Sequence, residues 1–321
     1  MKRLLYVVHR YAPFPGGSEN YVRDMAEESV KRGHEVWVLT GEHRGNLNGV
    51  NVTSDANILG TPFDLIIVHG GDVGVQDFVL NNAQRIPSPI LFMLILPSDS
   101  ETYKRAKENV KYIGCSTIED WEWVQRNNVE HKSKKIIHGI DPNISIGVSG
   151  FKSKFGINTP YMFLSCGGYW PNKAMKELAD LFNSTGRTDT TLVLTGYDNR
   201  YGLMPEESEF VKPLLLDDRQ DVMSAIVDAD LYVMHSFKEG FGLVLLEAML
   251  NKTPWAARYN AGARLMKDFG FTYISDDQIL DYMKNFTNDK EEQINKAYNE
   301  INNNHLIKNT VDDIISVIEG N

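Results

Sequence analysis

Ser236-Phe237-Lys238-Glu239-Gly240-Phe241-Gly242-Leu243-Val244-Leu245-Leu246-Glu247-Ala248-Met249 follows directly on the apolar run Leu231–His235. That run has strand length and is apolar on both faces, as a covered parallel strand is. Gly240 and Gly242 end it, and an apolar helical segment opens at about Gly242. Strand, glycine loop and helix in this order form the repeating unit of a doubly wound α/β sheet. Two glycines around one aromatic residue let the backbone approach a ligand that side chains would hold away. The helix start beyond them offers unpaired N–H groups and a positive dipole end, which suit a phosphate. Glu247 falls in the most apolar part of the helix, where a carboxylate is costly without partners. Ligand hydroxyls could supply them. A tight strand-to-helix turn with Glu247 paired to a structural Arg or Lys satisfies the same requirement.

Outward from this unit the alternation continues in both directions. Apolar runs at Leu4–Val8, Glu35–Thr40, Asp64–His69, Ile90–Leu96, Val110–Cys115 and Lys135–His138 form a first set. Tyr161–Cys166, Thr191–Thr195, Leu214–Leu216, Leu231–His235 and Pro254–Ala257 form a second. Between them, from Asp141 to Phe155, Pro142, Gly147 and Gly150 interrupt any period. The chain of 321 residues exceeds the ~100–150 typical of one domain. The expectation is therefore two domains, residues 1–148 and 149–303, with parallel sheets and a cleft at their strand C-termini. The stretch 304–321 has a helical apolar face and is expected to pack back on the first domain.

Composition narrows the function. A formal net charge of −10 opposes general polyanion binding, which depends on neutralising phosphates. The densest basic run, Lys132-Ser133-Lys134-Lys135, reads as a solvated loop. Cys115 and Cys166 are the only cysteines and end apolar runs, so they read as buried thiols of a reducing, cytoplasmic compartment. No stretch reaches the ~20 apolar residues of a membrane span, and Met1-Lys2-Arg3 leads into a first strand rather than a signal peptide. Asp228-Ala229-Asp230 offers a metal-binding pattern superficially, but it precedes a strand and reads as a helix end. No metal or other cofactor is expected.

Two further glycine loops follow strand candidates. Pro13-Phe14-Pro15-Gly16-Gly17-Ser18-Glu19 lies between the first run and a helix, where either a phosphate approach or a plain turn with Ser18 as N-cap fits. Cys166-Gly167-Gly168-Tyr169-Trp170-Pro171-Asn172-Lys173 ends the first run of the second set.

Glu239 and Glu247, within Glu-Gly-Phe-Gly-Leu…Leu-Glu-Ala-Met, closely resemble the E-x7-E signature of retaining GT-B glycosyltransferases, family four in particular. The resemblance implies the GT-B fold, two facing Rossmann-like domains with an interdomain cleft, the first serving the acceptor and the second the nucleotide-sugar donor. It implies that Glu239 lies by the transferred sugar and that the backbone at Phe241, Gly242 and Leu243 holds sugar hydroxyls or phosphate. It implies that Glu247 binds ribose hydroxyls. Gly16 and Gly17 match the family's glycine loop beside the donor diphosphate or the acceptor. Lys173 matches its diphosphate-binding lysine, but Gly168 stands where its arginine belongs and Ala174 replaces its final glycine. Gly167 and Gly196, the latter in Leu194-Thr195-Gly196, match strand-end glycines beside the nucleotide. Ala261-Gly262 falls where a Gly-Gly turn is common.

The family's histidine after the strand at Ile90–Leu96 is replaced by Pro97-Ser98-Asp99. His69, in Val68-His69-Gly70-Gly71-Asp72, ends a neighbouring strand and is the substitute considered, beside the ordinary structural role of a strand-end histidine; Asp99 is a weaker one. The implied reaction is metal-independent transfer from a nucleoside-diphosphate sugar such as a UDP-sugar, with the configuration retained. The acceptor is open among glycan, lipid-linked sugar, small molecule, protein and modified base, and the oligomeric state is open too. A catalytically degenerate relative that binds nucleotide or glycan as a partner subunit is the alternative. An epimerase or phosphorylase would need acid–base groups or a cofactor lysine that the sequence does not offer.

Overall fold

Apolar runs bounded by glycine and polar turns form strands of two separate sheets. The structure, a computed structural model, describes residues 1–42, 44–70 and 74–320. Gly71 and Asp72 of the His69 stretch lie outside the described residues.

The first sheet contains β1 (Arg3–Val7), β2 (Glu35–Leu39), β3 (Gly45–Leu47), β4 (Val50–Thr53), β5 (Leu65–His69), β6 (Ile90–Met93), β7 (Tyr112–Cys115) and β8 (Ser133–Lys135), in the order β3-β4-β2-β1-β5-β6-β7-β8. Its neighbours are parallel, β1 setting Leu5 opposite both Trp37 and Ile66, except at β3–β4, which is an antiparallel hairpin. The second sheet contains β9 (Tyr161–Cys166), β10 (Thr190–Gly196), β11 (Val211–Leu215), β12 (Leu231–Met234), β13 (Trp255–Arg258) and β14 (Phe271–Tyr273), in the order β11-β10-β9-β12-β13-β14. Each of its neighbouring pairs is parallel. Leu5, Val7, Ile66, Val68, Phe92, Tyr103 and Trp123 anchor one core. Phe163, Leu178, Phe182, Leu192, Leu194 and Met283 anchor the other. Among the described residues no helix is long and apolar enough to cross a membrane.

The chain divides into two units, Met1–Ile140 with the segment from His305 onward, and Asp141–Asn304. Residues 141–148, which the sequence boundary assigned to the first domain, belong by their contacts to the second unit. The reason is local. Asn251 donates to the Ser145 carbonyl at 2.6 Å and accepts from the Gly147 N–H at 2.9 Å, while Arg219 reaches the Ile144 carbonyl at 3.4 Å.

The segment from His305 returns to the first unit. The Ile140 N–H donates to the His305 carbonyl, and the Ile307 N–H donates back to the Ile140 carbonyl. The helix Ile307–Glu319 then buries Ile307, Val311, Ile314 and Val317. Thr310 Oγ1 donates to the Ile137 carbonyl at 2.7 Å, and Asp313 accepts from the Ile137 N–H at 2.7 Å.

Candidate functional site

In the second sheet β9 and β12 are neighbours, yet the chain leaves β9 toward β10 on one side and reaches β12 only later on the other. This is the topological switch point, where loops at the strand C-termini part and leave a crevice. The loops here are residues 167–173 after β9 and 235–242 after β12, and they hold Gly167, Lys173, Glu239, Phe241 and Gly242.

The loop after β12 is fixed by glycine chemistry. Gly242 has φ 86° and ψ 58°, left-handed backbone, and caps the helix Leu243–Leu250. A Cβ there would stand 2.9 Å from Met234 Sδ. Both constraints demand glycine. The Leu245 N–H donates to the Gly242 carbonyl, so the amides of Leu243 and Val244 belong to the unpaired first turn. Phe241 is buried, and its carbonyl accepts from the Gly262 N–H at 3.0 Å. A Cβ on Gly262 would collide with that carbonyl, which accounts for the glycine at this position. Asn260 Nδ2 steadies the loop's start by donating to the Ser236 carbonyl at 2.9 Å.

Glu247 is 8% exposed and has a partner within the chain. Arg219 Nη2 donates to its Oε1 at 2.8 Å and to Ser145 Oγ at 3.1 Å. The Arg-paired reading of Glu247 is therefore realised, and among the described residues Oε2 accepts no hydrogen bond.

The loop after β9 brings Lys173 to the same place. Lys173 Nζ lies 2.6 Å from Glu239 Oε1. The Phe237 N–H donates to the Asn172 carbonyl at 2.8 Å, which ties the two loops together by backbone as well. Gly167 has φ 153°, and a Cβ on it would touch Lys173 Cδ and Cε at 3.4 Å. Gly196, at the end of β10, lies so close to Tyr169 and the Gly167 carbonyl that a Cβ would fall 2.7 Å from each. Lys173 ends a 3-10 turn, Pro171–Lys173, and is followed by Ala174 at φ 51°, ψ 37°. The left-handed conformation is the physical reason a glycine suits that position better.

Position 168 is not vacant. A Cβ on Gly168 would lie 2.6 Å from Cε2 and 2.7 Å from Nε1 of Trp170, whose indole packs edge-on to Tyr197 at 5.7 Å between ring centroids.

Sequence reasoning missed a network beside the same loop. His235 Nδ1 lies 2.7 Å from Tyr273 Oη and its Nε2 lies 3.1 Å from Arg258 Nη2. Arg258 also donates to Asp276 Oδ1 at 2.8 Å and stacks its guanidinium over Phe237 at 5.0 Å. Burial, reinforced by Arg258, depresses the His235 pKa to about 4. Its position at the end of an apolar strand was the available signal.

In the first sheet the switch point lies between β1 and β5, which places the loop holding Gly16 and Gly17 beside the strand ending in His69. A Cβ on Gly16 would collide with the Glu19 carboxylate, which folds over the start of the helix Gly17–Lys31; Gly17 is open. Burial raises the Glu19 pKa, while its own N–H, Arg10 and His9 pull it back. His69 is buried, with Nδ1 unpaired among the described residues and its ring 5.3 Å from that of Tyr21. Burial holds its pKa at about 4. Asp99 is exposed in a bend.

Asp228 and Asp230 are committed elsewhere. Asp228 accepts from the N–H groups of Gly150 and Lys152, and Asp230 accepts from the Met162 N–H and pairs with Lys152. Among the described residues no group of three His, Cys, Asp or Glu side chains is placed to hold a metal ion.

Residues 160–280, which include both switch-point loops of the second sheet, match the family described as Glycosyl transferases group 1. The fold is GT-B. Anabaena HepE, in a complex with UDP and glucose, aligns over 100% of both chains with a TM-score of 0.79 at 17% identity. WaaG, a glycosyltransferase involved in lipopolysaccharide biosynthesis, aligns over 99% of this chain and 100% of its own, with a TM-score of 0.74 at 15% identity. The trehalose-6-phosphate synthase OtsA aligns over 99% of each chain, with a TM-score of 0.79 at 12% identity. No curated protein sequence matches the chain. The family match over residues 160–280 supports glycosyltransferase activity, and the solved structures show the fold.

Proposed function

We propose that this GT-B protein transfers a sugar from a nucleoside-diphosphate sugar to an acceptor hydroxyl, with retention of configuration and without a metal ion. One observation carries the reading: Lys173, Glu239, the Gly242 helix start and Glu247 gather at one switch point, within the residues that match the family. Lys173 and the amides of the first helical turn hold the diphosphate. The backbone at Phe241 and Gly242 and the carboxylate of Glu239 hold the sugar, and Glu247 accepts from ribose hydroxyls. Gly167 and Gly196 keep the crevice free of side chains.

Glu239 is tied to Lys173 and Glu247 to Arg219, so neither is poised as a nucleophile or general acid. The reading is front-face attack. The acceptor oxygen bonds to the anomeric carbon, the bond from that carbon to the diphosphate oxygen breaks, and the departing diphosphate takes the acceptor's proton. Positioning and charge neutralisation are the protein's share. The first unit, with Gly16, Gly17 and His69 at its own switch point, serves the acceptor.

The test is incubation with a panel of nucleotide sugars, following nucleotide release and reading the product's anomeric configuration by NMR. An inverted product would refute retention. Tight nucleotide binding without any turnover across donors and acceptors would favour the binding-only alternative, for which Trp170 over Gly168 is the supporting observation.

A further inference from the structure

Arg219 stands outside every motif the sequence offered, yet it is the cation that meets Glu247. Its guanidinium makes three contacts: Nη2 to Glu247 Oε1 at 2.8 Å, Nη2 to Ser145 Oγ at 3.1 Å, and Nε to the Ile144 carbonyl at 3.4 Å. Ser145 is fully buried and is itself held through its carbonyl by Asn251 Nδ2. At the other end Arg219 opens the helix Arg219–Asp228, which Asp218 caps by accepting from the Gln220 N–H at 2.8 Å. The planar fork is thus fixed on both sides, as a lysine ammonium would not be.

The consequence falls on Glu247. Its neighbours Leu245, Leu246, Ala248 and Met249 are essentially inaccessible and Glu247 itself is only 8% exposed, so the carboxylate has little solvent in which to reorient. With Oε1 held by Arg219, Oε2 is the oxygen left to accept. A carboxylate accepts and never donates in its ionised form, so its complement is a hydroxyl hydrogen.

We propose that Arg219 is the positioning residue that makes the second unit selective for ribose hydroxyls, by clamping Glu247 so that one carboxylate oxygen is aimed at them. This rests on the reading of Glu247 given above. A latch that merely secured residues 144–145 to the helix Leu243–Leu250 would instead stabilise the fold and leave nucleotide selectivity untouched.

The experiment is calorimetry with the full chain and paired probes. ADP, GDP and UDP are first compared, and the tightest binder is then set against its 2′,3′-dideoxy counterpart. The parent is expected to prefer the ribonucleotide roughly ten- to a hundred-fold, the range for charge-assisted hydrogen bonds. In Arg219→Gln that preference should fall to within about three-fold, chiefly through weaker ribonucleotide binding, with the dideoxy affinity nearly unchanged. Arg219→Lys keeps the charge against unfolding but cannot span Ser145 and Glu247 together, and should still lose most of the preference. A folded Arg219→Gln or Arg219→Lys protein that keeps the parent's preference overturns the clamp and leaves the ribose role of Glu247 standing. Equal weakening of both probes also overturns it, in favour of a general structural role. If the parent itself shows no preference, or binds none of the three diphosphates, the ribose reading of Glu247 fails and the clamp with it.

Discussion

Lys173 Nζ and Glu239 Oε1 stand 2.6 Å apart although their residues come from different loops, one after β9 and one after β12. The pair is largely buried, with 20% and 10% of the two side chains exposed. An ammonium has three donors, so Lys173 can keep Glu239 and still donate to a phosphate. On the proposed reading the contact sets sugar and diphosphate positions relative to each other, because the residue assigned to one touches the residue assigned to the other.

Replacing Lys173 with Ala should therefore lower kcat/KM for sugar transfer, or for slow donor hydrolysis, by roughly ten- to a hundred-fold. Steady-state kinetics on a folded variant decides it. A rate within about two-fold of the parent, the outcome expected of a mere surface charge, would remove Lys173 from the site.

Turnover should survive EDTA. On the proposed reading, Lys173 and the helix start at Leu243 supply the positive potential that a divalent ion provides elsewhere. Loss of activity on chelation, restored by Mg2+ or Mn2+, would refute the metal-free reading.

Much of this architecture was legible because parallel strands covered on both faces must be apolar, and those runs stand out in the sequence. The strands β3, β4 and β14 did not, being short or partly polar. Yet Asn48-Gly49, with φ 51° and 85°, is a hairpin turn signal that could have revealed β3 and β4. At the site, positions fixed by backbone geometry were readable as glycines: Gly242, Gly196 and Gly167 all need the absence of a side chain. What the sequence could not show were partners distant along the chain. Arg219 for Glu247, and Arg258 and Tyr273 for His235, depend on tertiary placement, whereas Glu19 over Gly16 and Trp170 over Gly168 are local contacts set by the side-chain rotamer within each loop.

Ala174→Gly should stabilise the protein by about 0.5–1 kcal/mol. Ala174 sits at φ 51°, where a Cβ costs roughly 1–2 kcal/mol, partly offset by the greater freedom of glycine in the unfolded chain. Chemical denaturation measures it, and a variant less stable than the parent would contradict the conformation assigned to this turn.

His235 should make folding sensitive to acid. Its folded pKa of about 4 lies below the ordinary 6.5, so between those values the unfolded chain binds more protons and stability falls as pH falls. The full window corresponds to about 3 kcal/mol at most. Buried His69 and His138, depressed to about 4 and about 3, act in the same direction in the first unit. Asp120, raised by burial to about 6, opposes them there. Urea titrations at pH 7 and pH 5 should show His235→Gln losing less stability on acidification than the parent. Equal losses would mean that His235 does not titrate as its contacts with Tyr273, Arg258 and Asp276 require.

Gly168→Arg tests what the protein has in place of a second diphosphate cation. Gly168 is not among the glycines with left-handed backbone, so an arginine meets no conformational barrier. The obstacle is steric, because its Cβ would fall 2.6 Å from the Trp170 indole. The side chain cannot enter unless Trp170 leaves its edge contact with Tyr197. Overpacking of this kind costs about 1–3 kcal/mol. Gly168→Arg alone should lower the thermal midpoint without tightening nucleoside-diphosphate binding. Combined with Trp170→Ala the clash is relieved, the midpoint should recover in part, and the added guanidinium should tighten binding by roughly ten-fold. Calorimetry and melting curves on the two variants separate the cases. A single Gly168→Arg variant that is as stable as the parent and binds the diphosphate more tightly would show that Trp170 yields its place freely. The indole would then be no barrier to a second cation.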